Sequence, residues 1–496
     1  MPDLLVDLET PKTDAPLYQR IADSIRTDVL AGRLRRGERV PSTRALAKEL
    51  KVNRNTVAQA YEQLIAEGFL EGKHGSGTYV ARELPQANFN AGSARRGQRT
   101  LRRVAFANSP LPPELYAHVL QPEDPVSPPG VDIDLRLGAP DISAFPLRQW
   151  RRIVGNQLLV PRRDRMNYGS AYGLQELREQ IAAYLGRARG IDCDYKNVLI
   201  TAGSQQGLWF TASLLVAEGD PVMLEDPAYL GARSIFGAVK AKQVGIPVDS
   251  EGADTAAVAR LLEQGVKPKL LHLTPSHQYP TGVTLSTARR MELLEMASEH
   301  GFMIVEDDYD SEFRYEGRPV RALAGIDGAG VVIYVGSFSK VMYPALRVGY
   351  VVAPEWFIEA MVGLRWHVDF MPPMLESAAL AQFIAEGHFE RHLRRMRTLY
   401  AEKRKAFINV FREQMPGVLP DPVPAGGMKI MLNVPSHLAV SQAHDRALEA
   451  GVRVYDQSVC YFEPAKAPKT LTIGFTALPV EKVKEAAHRL ARAWAP

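Results

Sequence analysis

The sequence predicts an α/β protein in two folded parts, a small helical head ending in a hairpin and a large body of alternating strands and helices. Three observations carry this expectation. Residues 1–81 show three helical patterns followed by two short strand patterns. Residues 82–131 show no periodicity, and five arginines (Arg95, Arg96, Arg99, Arg102, Arg103) give way to seven prolines between Pro110 and Pro129. Proline fixes φ and interrupts helix and ladder alike, so this stretch is expected to be a semi-extended linker. Residues 132–496 alternate short apolar runs with longer helical ones, the pattern of a mostly parallel sheet with helices on both faces.

In the head, helices are expected over 17–31, 42–50 and 54–67, with strands near 69–70 and 78–80. Ser42 stands where a hydroxyl caps a helix start. Leu46, Ala47 and Leu50 face inward on the second helix, and Lys51, Val52 and Asn53 make a tight turn. Val57, Ala60, Tyr61, Leu64 and Ile65 form the buried stripe of the third helix. Its opposite side opens with Arg54, Asn55 and Thr56, polar groups that a helix-turn-helix projects into the major groove of DNA. In FLEGKHGSGTYV, Gly72, Gly75 and Gly77 permit tight turning, and Lys73 and His74 lie near the tip, where a wing reaches phosphate or the minor groove.

Charge supports the division. Residues 1–103 carry 18 Lys and Arg against 12 Asp and Glu, a surplus of six, while the remainder carries 42 against 44. A basic front on a near-neutral body suits a front that meets a polyanion. Hydrophobic content of 46% with 23% charged residues permits a large core, and no apolar run approaches the roughly 18 residues that cross a bilayer. The acidic N-terminus, MPDLLVDLETPKTDAP, lacks the pattern of a signal peptide. Two cysteines, Cys193 and Cys460, give neither a disulfide framework nor metal-ligand spacing, so a reducing cytoplasm is expected.

In the body, NVLITAG, DPVMLED, KLLHLTP, FMIVEDD and GVVIYVGSFSK are strand-like, with a helix expected over 285–299 and a smaller α/β segment from about 374 to 496, joined by a long helix rich in Arg and Glu. The most informative stretch is SFSKVMYPALRVGY. A lysine at a strand end, preceded by hydroxyls and followed by an arginine, suits an anionic carbonyl cofactor: Lys340 would form a Schiff base, Ser337 and Ser339 would bond phosphate, and Arg347 would neutralise it. EDDYDSEF sets carboxylates at a strand's C-terminal end, where open α/β sheets bind ligands, and an acid there can hold a pyridinium nitrogen protonated. TAGSQQG puts small residues and backbone N–H groups at a strand-to-helix turn suited to phosphate. EDPAYLG supplies Tyr229, able to stack on a ring, and HQYPTG makes a turn.

The run from PLYQRIADSIR to GSGTYV resembles the winged-helix domain of the GntR regulators, most specifically in LAGRLRRGERVPSTRALA, NRNTVAQAYEQLIAEG and GSGTYV. That resemblance implies DNA contacts by Arg44, Arg54 and Thr56, assisted by the wing around Gly75. The later motifs, in this order and spacing, are similar to fold-type I aminotransferases over about residues 132–496. Together the chain resembles the MocR subfamily of GntR regulators, which implies a winged helix-turn-helix over 1–81 and an aminotransferase-like domain over 132–496 that binds pyridoxal 5'-phosphate.

The resemblance assigns Lys340 as the cofactor lysine, Asp307 as partner of the pyridine nitrogen and Tyr309 as the group near the phenolic oxygen. Ser204, Gln205, Ser337, Ser339 and Arg347 would hold the phosphate, Tyr229 would stack on the ring, and Tyr168 would reach the phosphate of a neighbouring subunit, implying a homodimer with shared sites. Local chemistry does not separate Asp307 from Asp308; only family spacing does. Tyr279 stands where aminotransferases usually carry an asparagine that contacts the phenolic oxygen. Thr472, in KTLTIGFTALP, stands where the family often has an arginine that pairs with the substrate carboxylate; Arg453 or another basic group is the alternative source of such a charge. Losing that charge-assisted pair costs about 1.5–3 kcal/mol. The expectation is therefore a regulator on paired DNA half-sites that senses pyridoxal phosphate, or an amino compound reacting with it, with vitamin B6 metabolism as the implied target. The alternative is a working aminotransferase with an accessory DNA-binding head.

Overall fold

The computed structural model describes residues 16–73, 76–82, 130–159, 166–317 and 320–496. These fall into two compact units, one within residues 1–105 and one within 106–496.

In the first unit, helices α1 (Leu17–Leu30), α2 (Thr43–Glu49) and α3 (Arg54–Ala66) enclose a single apolar core with an antiparallel hairpin of β1 (Leu70–Lys73) and β2 (Gly77–Val80). Both members of the helix pair start on side-chain caps: Ser42 Oγ accepts from Ala45 N at 3.2 Å and Asn53 Oδ1 from Asn55 N at 2.9 Å. Between them Lys51 adopts φ 54°, which reverses the chain in the left-handed region. The Tyr61 hydroxyl donates to Pro41 O at 2.8 Å and pins α3 to the start of α2. Leu46, Val57, Ala60, Tyr61 and Leu64 are buried as the periodicity implies, but Ile65 is 42% exposed. It follows Leu64 directly, and a turn of about 100° per residue carries it off the face that Val57, Tyr61 and Leu64 define. Leu50, at the C-cap of α2, is only half-buried at the core's edge.

The second unit contributes β3 (Ile133–Asp134), β4 (Val198–Thr201), β5 (Pro221–Asp226), β6 (Lys242–Asp249), β7 (Gly252–Ala253), β8 (Leu270–Leu273), β9 (Met303–Asp308), β10 (Val332–Ser337), β11 (Gly349–Val352), β12 (Lys429–Asn433), β13 (Val452–Arg453) and β14 (Thr470–Gly474). Eight of these form one sheet in the order β4-β11-β10-β9-β8-β5-β6-β7. Pairing is parallel from β10 through β9, β8 and β5 to β6, while β11 runs antiparallel to both its neighbours. Residues of β4 and β8 are buried throughout, because apolar helices cover both faces. Ser204–Leu215, Leu230–Ala238 and Glu355–Arg365 pack on one face, and Thr255–Glu263 with Thr287–His300 on the other. The last of these helices starts two residues later than its apolar pattern suggests, since Ser286 caps it and Leu285 is buried ahead of it.

The 27-residue helix His388–Gln414 carries the smaller layer, in which β12 pairs with β14 antiparallel and β13 with β3 parallel. The first strand of the body thus completes its last part. The parallel strands β5, β8, β9 and β10 aim their C-terminal ends at the same edge, the side on which such sheets bind ligands. Among the described residues no helix is long and apolar enough to cross a membrane.

Candidate cofactor and effector site

At that edge lies a cavity of about 350 Å³, and it gathers Lys340, Asp307, Tyr309, Ser204, Gln205, Tyr229, Tyr279, Ser337, Ser339 and Arg347. These side chains come from five separate stretches of sequence. Lys340 follows β10 by three residues, with Phe338 buried beneath and Ser337 and Ser339 on the open side, Ser337 Oγ accepting from Ser339 N at 3.2 Å. Backbone passes close above the lysine: a Cβ on Gly138 would sit 3.0 Å from Lys340 Nζ.

Ser204 and Gln205 open the helix after β4, where the first N–H groups have no partner within the helix. Gly203 turns the chain there at φ 98°, and a Cβ on it would come within 3.0 Å of Arg347 Nη2. Arg347 itself has φ 51° and donates from Nη2 to Ala202 O at 2.6 Å, which holds the guanidinium over that helix start.

The strand alternation of β9 separates the two acids that local chemistry could not. Asp308 faces away from the cavity, ion-paired with Arg189 at 2.7 Å and accepting from the Tyr334 hydroxyl at 2.6 Å. Burial pushes its carboxyl up, but Arg189 outweighs this and holds it below the ordinary carboxylate range. Asp307 lines the cavity. It is 4% exposed, His272 Nε2 stands 3.5 Å from one of its oxygens, and the other, Oδ1, is buried with no hydrogen-bond partner.

Three tyrosines line one wall, with ring centroids 5.4 Å apart for Tyr229 and Tyr279 and 6.3 Å for Tyr279 and Tyr309. The hydroxyl of Tyr229 accepts from Gln205 Nε2 at 2.9 Å, that of Tyr279 donates to Gln457 Oε1 at 3.0 Å, and that of Tyr309 donates to His277 O at 2.6 Å. Burial drives the Tyr229 phenol up to about 12 and the other two well above the usual range, so all three stay protonated near neutrality.

One residue of the wall escaped the sequence analysis. Lys429, on β12, reaches between Tyr279 and Tyr309 with its ammonium 4.7 and 4.6 Å from their centroids, and it donates to the Tyr309 hydroxyl. The signal was a lysine inside the apolar run GGMKIML. Thr472, by contrast, is buried, does not line the cavity, and has an Oγ1 without a partner. Arg453 is no replacement for the missing arginine: its guanidinium sits over Tyr455 and 3.9 Å from Asp134, away from the cavity. Tyr168 is likewise not brought to Lys340. It is 81% exposed, its ring lies 5.8 Å from that of Phe370, and it borders a separate pocket.

In the head, Arg44 on α2 and Arg54 and Asn55 in the first turn of α3 are exposed, and Thr56 is half-buried beside them. Lys73 is exposed and lies over the Tyr79 ring. His74 and Gly75, at the expected wing tip, fall outside the described residues.

Comparison with known proteins fits both units. Residues 17–80 match the family of bacterial regulatory proteins of gntR type, and residues 135–490 match aminotransferase class I and II. A probable rhizopine catabolism regulatory protein, MocR, of Rhizobium meliloti is 37% identical over 81% of this chain and 78% of its own length. The HTH-type regulator TauR of Rhodobacter capsulatus is 31% identical over 97% of both chains. Among solved structures, the α-aminoadipate aminotransferase LysN of Thermus thermophilus, complexed with N-(5'-phosphopyridoxyl)-L-leucine, is 30% identical with a TM-score of 0.67 over 74% of this chain and 92% of its own. Head and body together define a GntR-type transcription regulator fused to an aminotransferase-like domain of fold type I. The chain belongs to the aminotransferase class I and II family and, within the regulators, to the MocR subfamily.

Membership in that family implies pyridoxal phosphate, and the cavity fits it. The buried, partnerless Asp307 Oδ1 suits a ring N–H, the helix start beside Arg347 suits a phosphate, and Lys340 lines the same cavity.

Proposed function

We propose that this regulator holds pyridoxal phosphate at Lys340 and that the state of that site controls how the head engages DNA. Lys340 meets the cofactor's aldehyde, and Asp307 keeps a proton on the ring nitrogen. Ser204, Gln205, Ser337, Ser339 and Arg347 hold the phosphate, Tyr229 covers the ring, and Tyr279 and Tyr309 flank the phenolic side. Bound there, the cofactor offers an aldehyde to primary amines and a ring that withdraws electrons. The observation that carries this reading is the Asp307 oxygen, buried without a partner at a cavity that Lys340 also lines. A buried unpaired carboxylate oxygen is costly unless a ligand completes it.

In this reading the signal is the cofactor or an amino compound reacting with it, vitamin B6 metabolism is the regulated target, and Arg44, Arg54, Asn55, Thr56, Lys73 and the wing at Gly75 read paired half-sites. A homodimer that shares Tyr168 between sites is supported by an exposed apolar patch, in which the tilted rings of Trp366 and Phe370 lie with centroids 4.1 Å apart beside Tyr168.

The test is absorbance titration of the full-length protein with pyridoxal phosphate, with footprinting on the DNA upstream of its own gene in parallel. A visible band that Lys340→Ala abolishes, and a footprint that changes on loading, are expected. An equally intense, borohydride-reducible band in Lys340→Ala overturns the lysine assignment. The aminotransferase reading is supported by the same complete set of cavity residues, and sustained amino transfer to a 2-oxo acid would establish it.

A further inference from the structure

From the geometry we infer that Lys429 is the anchor for an acidic group, so that the amine recognised at this site carries a carboxylate or comparable anion. The inference rests on the reading of the cavity as a cofactor and effector site. Lys429 is 3% exposed, yet among the described residues no carboxylate lies within ion-pair distance of it. Among the described residues, the one hydrogen bond of its ammonium goes to a neutral phenol already engaged as a donor to His277 O. Asp310, the acid whose charge acts on it most strongly, lines the same cavity beyond ion-pair distance, bonding through Oδ1 to His277 Nδ1 at 2.7 Å while its Oδ2 has no hydrogen-bond partner. A buried ammonium without a counter-ion is strongly disfavoured. Burial and the neighbouring Lys340 accordingly draw it down to about 8, with Asp310 and Cys460 opposing. Near neutrality it is still largely charged and faces the cavity.

Its position gives the lysine a role. In the β12–β14 ladder Lys429 lies opposite Gly474, and Thr472 lies opposite Met431. Residues directly opposite in a ladder share a face, so Lys429 and Thr472 are diagonal neighbours on one side of it. The cation absent from β14 is therefore supplied from β12. Gly474 itself is required by the Arg136 backbone, whose carbonyl oxygen fills the space that a Cβ would take. A single ammonium is a point charge without the bidentate fork of arginine, so it accepts carboxylate, sulfonate or phosphonate with little demand on orientation. Phosphate in the same cavity is met by the separate group around Arg347, which leaves Lys429 for the second anionic function of the ligand.

The experiment uses full-length protein loaded with pyridoxal phosphate and titrated, through the absorbance of the bound cofactor, with ω-amino carboxylates and uncharged alkylamines of matched chain length. The acid of the best-fitting length is expected to bind at least about tenfold more tightly than its uncharged partner. Lys429→Met should bring that ratio close to one, and Lys429→Arg should retain most of it. A wild-type ratio near one, or a ratio that survives Lys429→Met, overturns the inference. So does a variant whose only change is a shifted cofactor band before any amine is added, because the lysine then serves the ring. Failure to take up pyridoxal phosphate at all would sink the underlying reading and this inference with it, whereas loading without discrimination sinks the inference alone.

Discussion

Asp307 and Asp308 are adjacent and chemically identical, yet replacing them should have opposite consequences. In the cofactor-free protein, Asp308→Ala leaves the Arg189 guanidinium, 8% exposed at its side chain, without its carboxylate, and frees the Tyr334 hydroxyl. Removing one partner of a buried ion pair costs about 3–5 kcal/mol. Asp307→Ala removes an oxygen that has no hydrogen bond and another whose contact with His272, at 3.5 Å, exceeds ordinary hydrogen-bond length. Its cost to the unloaded fold should stay below about 1 kcal/mol. Cofactor affinity reverses the order: losing a charge-assisted bond to the ring nitrogen costs about 1.5–3 kcal/mol, roughly 10- to 150-fold in the dissociation constant. Urea unfolding of the body followed by circular dichroism measures the first effect, and titration with pyridoxal phosphate the second. The sign of the pH dependence follows from Asp308. Its folded value is depressed, so its contribution is full above the unfolded value of about 3.9 and fades as the pH falls through the lower folded one. If Asp307→Ala destabilises the unloaded protein as much as Asp308→Ala, or leaves cofactor affinity unchanged, the assignment of the two faces of β9 is wrong.

Gly349→Ala should lower stability by about 1–3 kcal/mol and weaken the cofactor, since its Cβ would lie 2.7 Å from the Gly203 backbone, which cannot step aside as a side chain could; unchanged thermal melting would refute the tight approach. The preference for acidic over uncharged amines should fall as the pH rises through about 8, where Lys429 loses its proton. Taking the ratio at each pH cancels the titration of the amines themselves, and a flat ratio from pH roughly 7 to 9 would exclude Lys429 as the charge involved. In the head, Arg54→Ala should weaken the specific DNA site by about 1–3 kcal/mol and relax sequence preference, measured by anisotropy against random DNA; an unchanged specificity ratio would place base reading elsewhere.

Most of the cavity was legible because each part sits in a motif whose local geometry is set by its neighbours. Gly203 and Ser204 stand between an apolar strand run and a helical pattern, which marks a strand-to-helix turn, and Ser337, Ser339 and Lys340 share the end of one strand. Lys429 was missed because nothing near it in sequence is chemical; its meaning arises only when β12 is laid against the wall formed by Tyr279 and Tyr309. Ile65 was misplaced because an apolar residue at the rim of a helical stripe is indistinguishable from one inside it until the opposing surface is known.

By itself the sequence determined the two-part architecture, because periodicity, caps and turn residues act over a few positions along the chain, while its resemblance to known families supplied the subfamily and the ten residues that meet at one cavity. The tertiary structure gave the physical ground for choosing between two adjacent acids that only family spacing had separated, and it alone decided that Tyr168 is not at the Lys340 of its own chain and that a buried lysine stands beside the place where an arginine is missing. Those outcomes depend on strand alternation, ladder register and burial, which arise between segments far apart in sequence and are written in no single one of them.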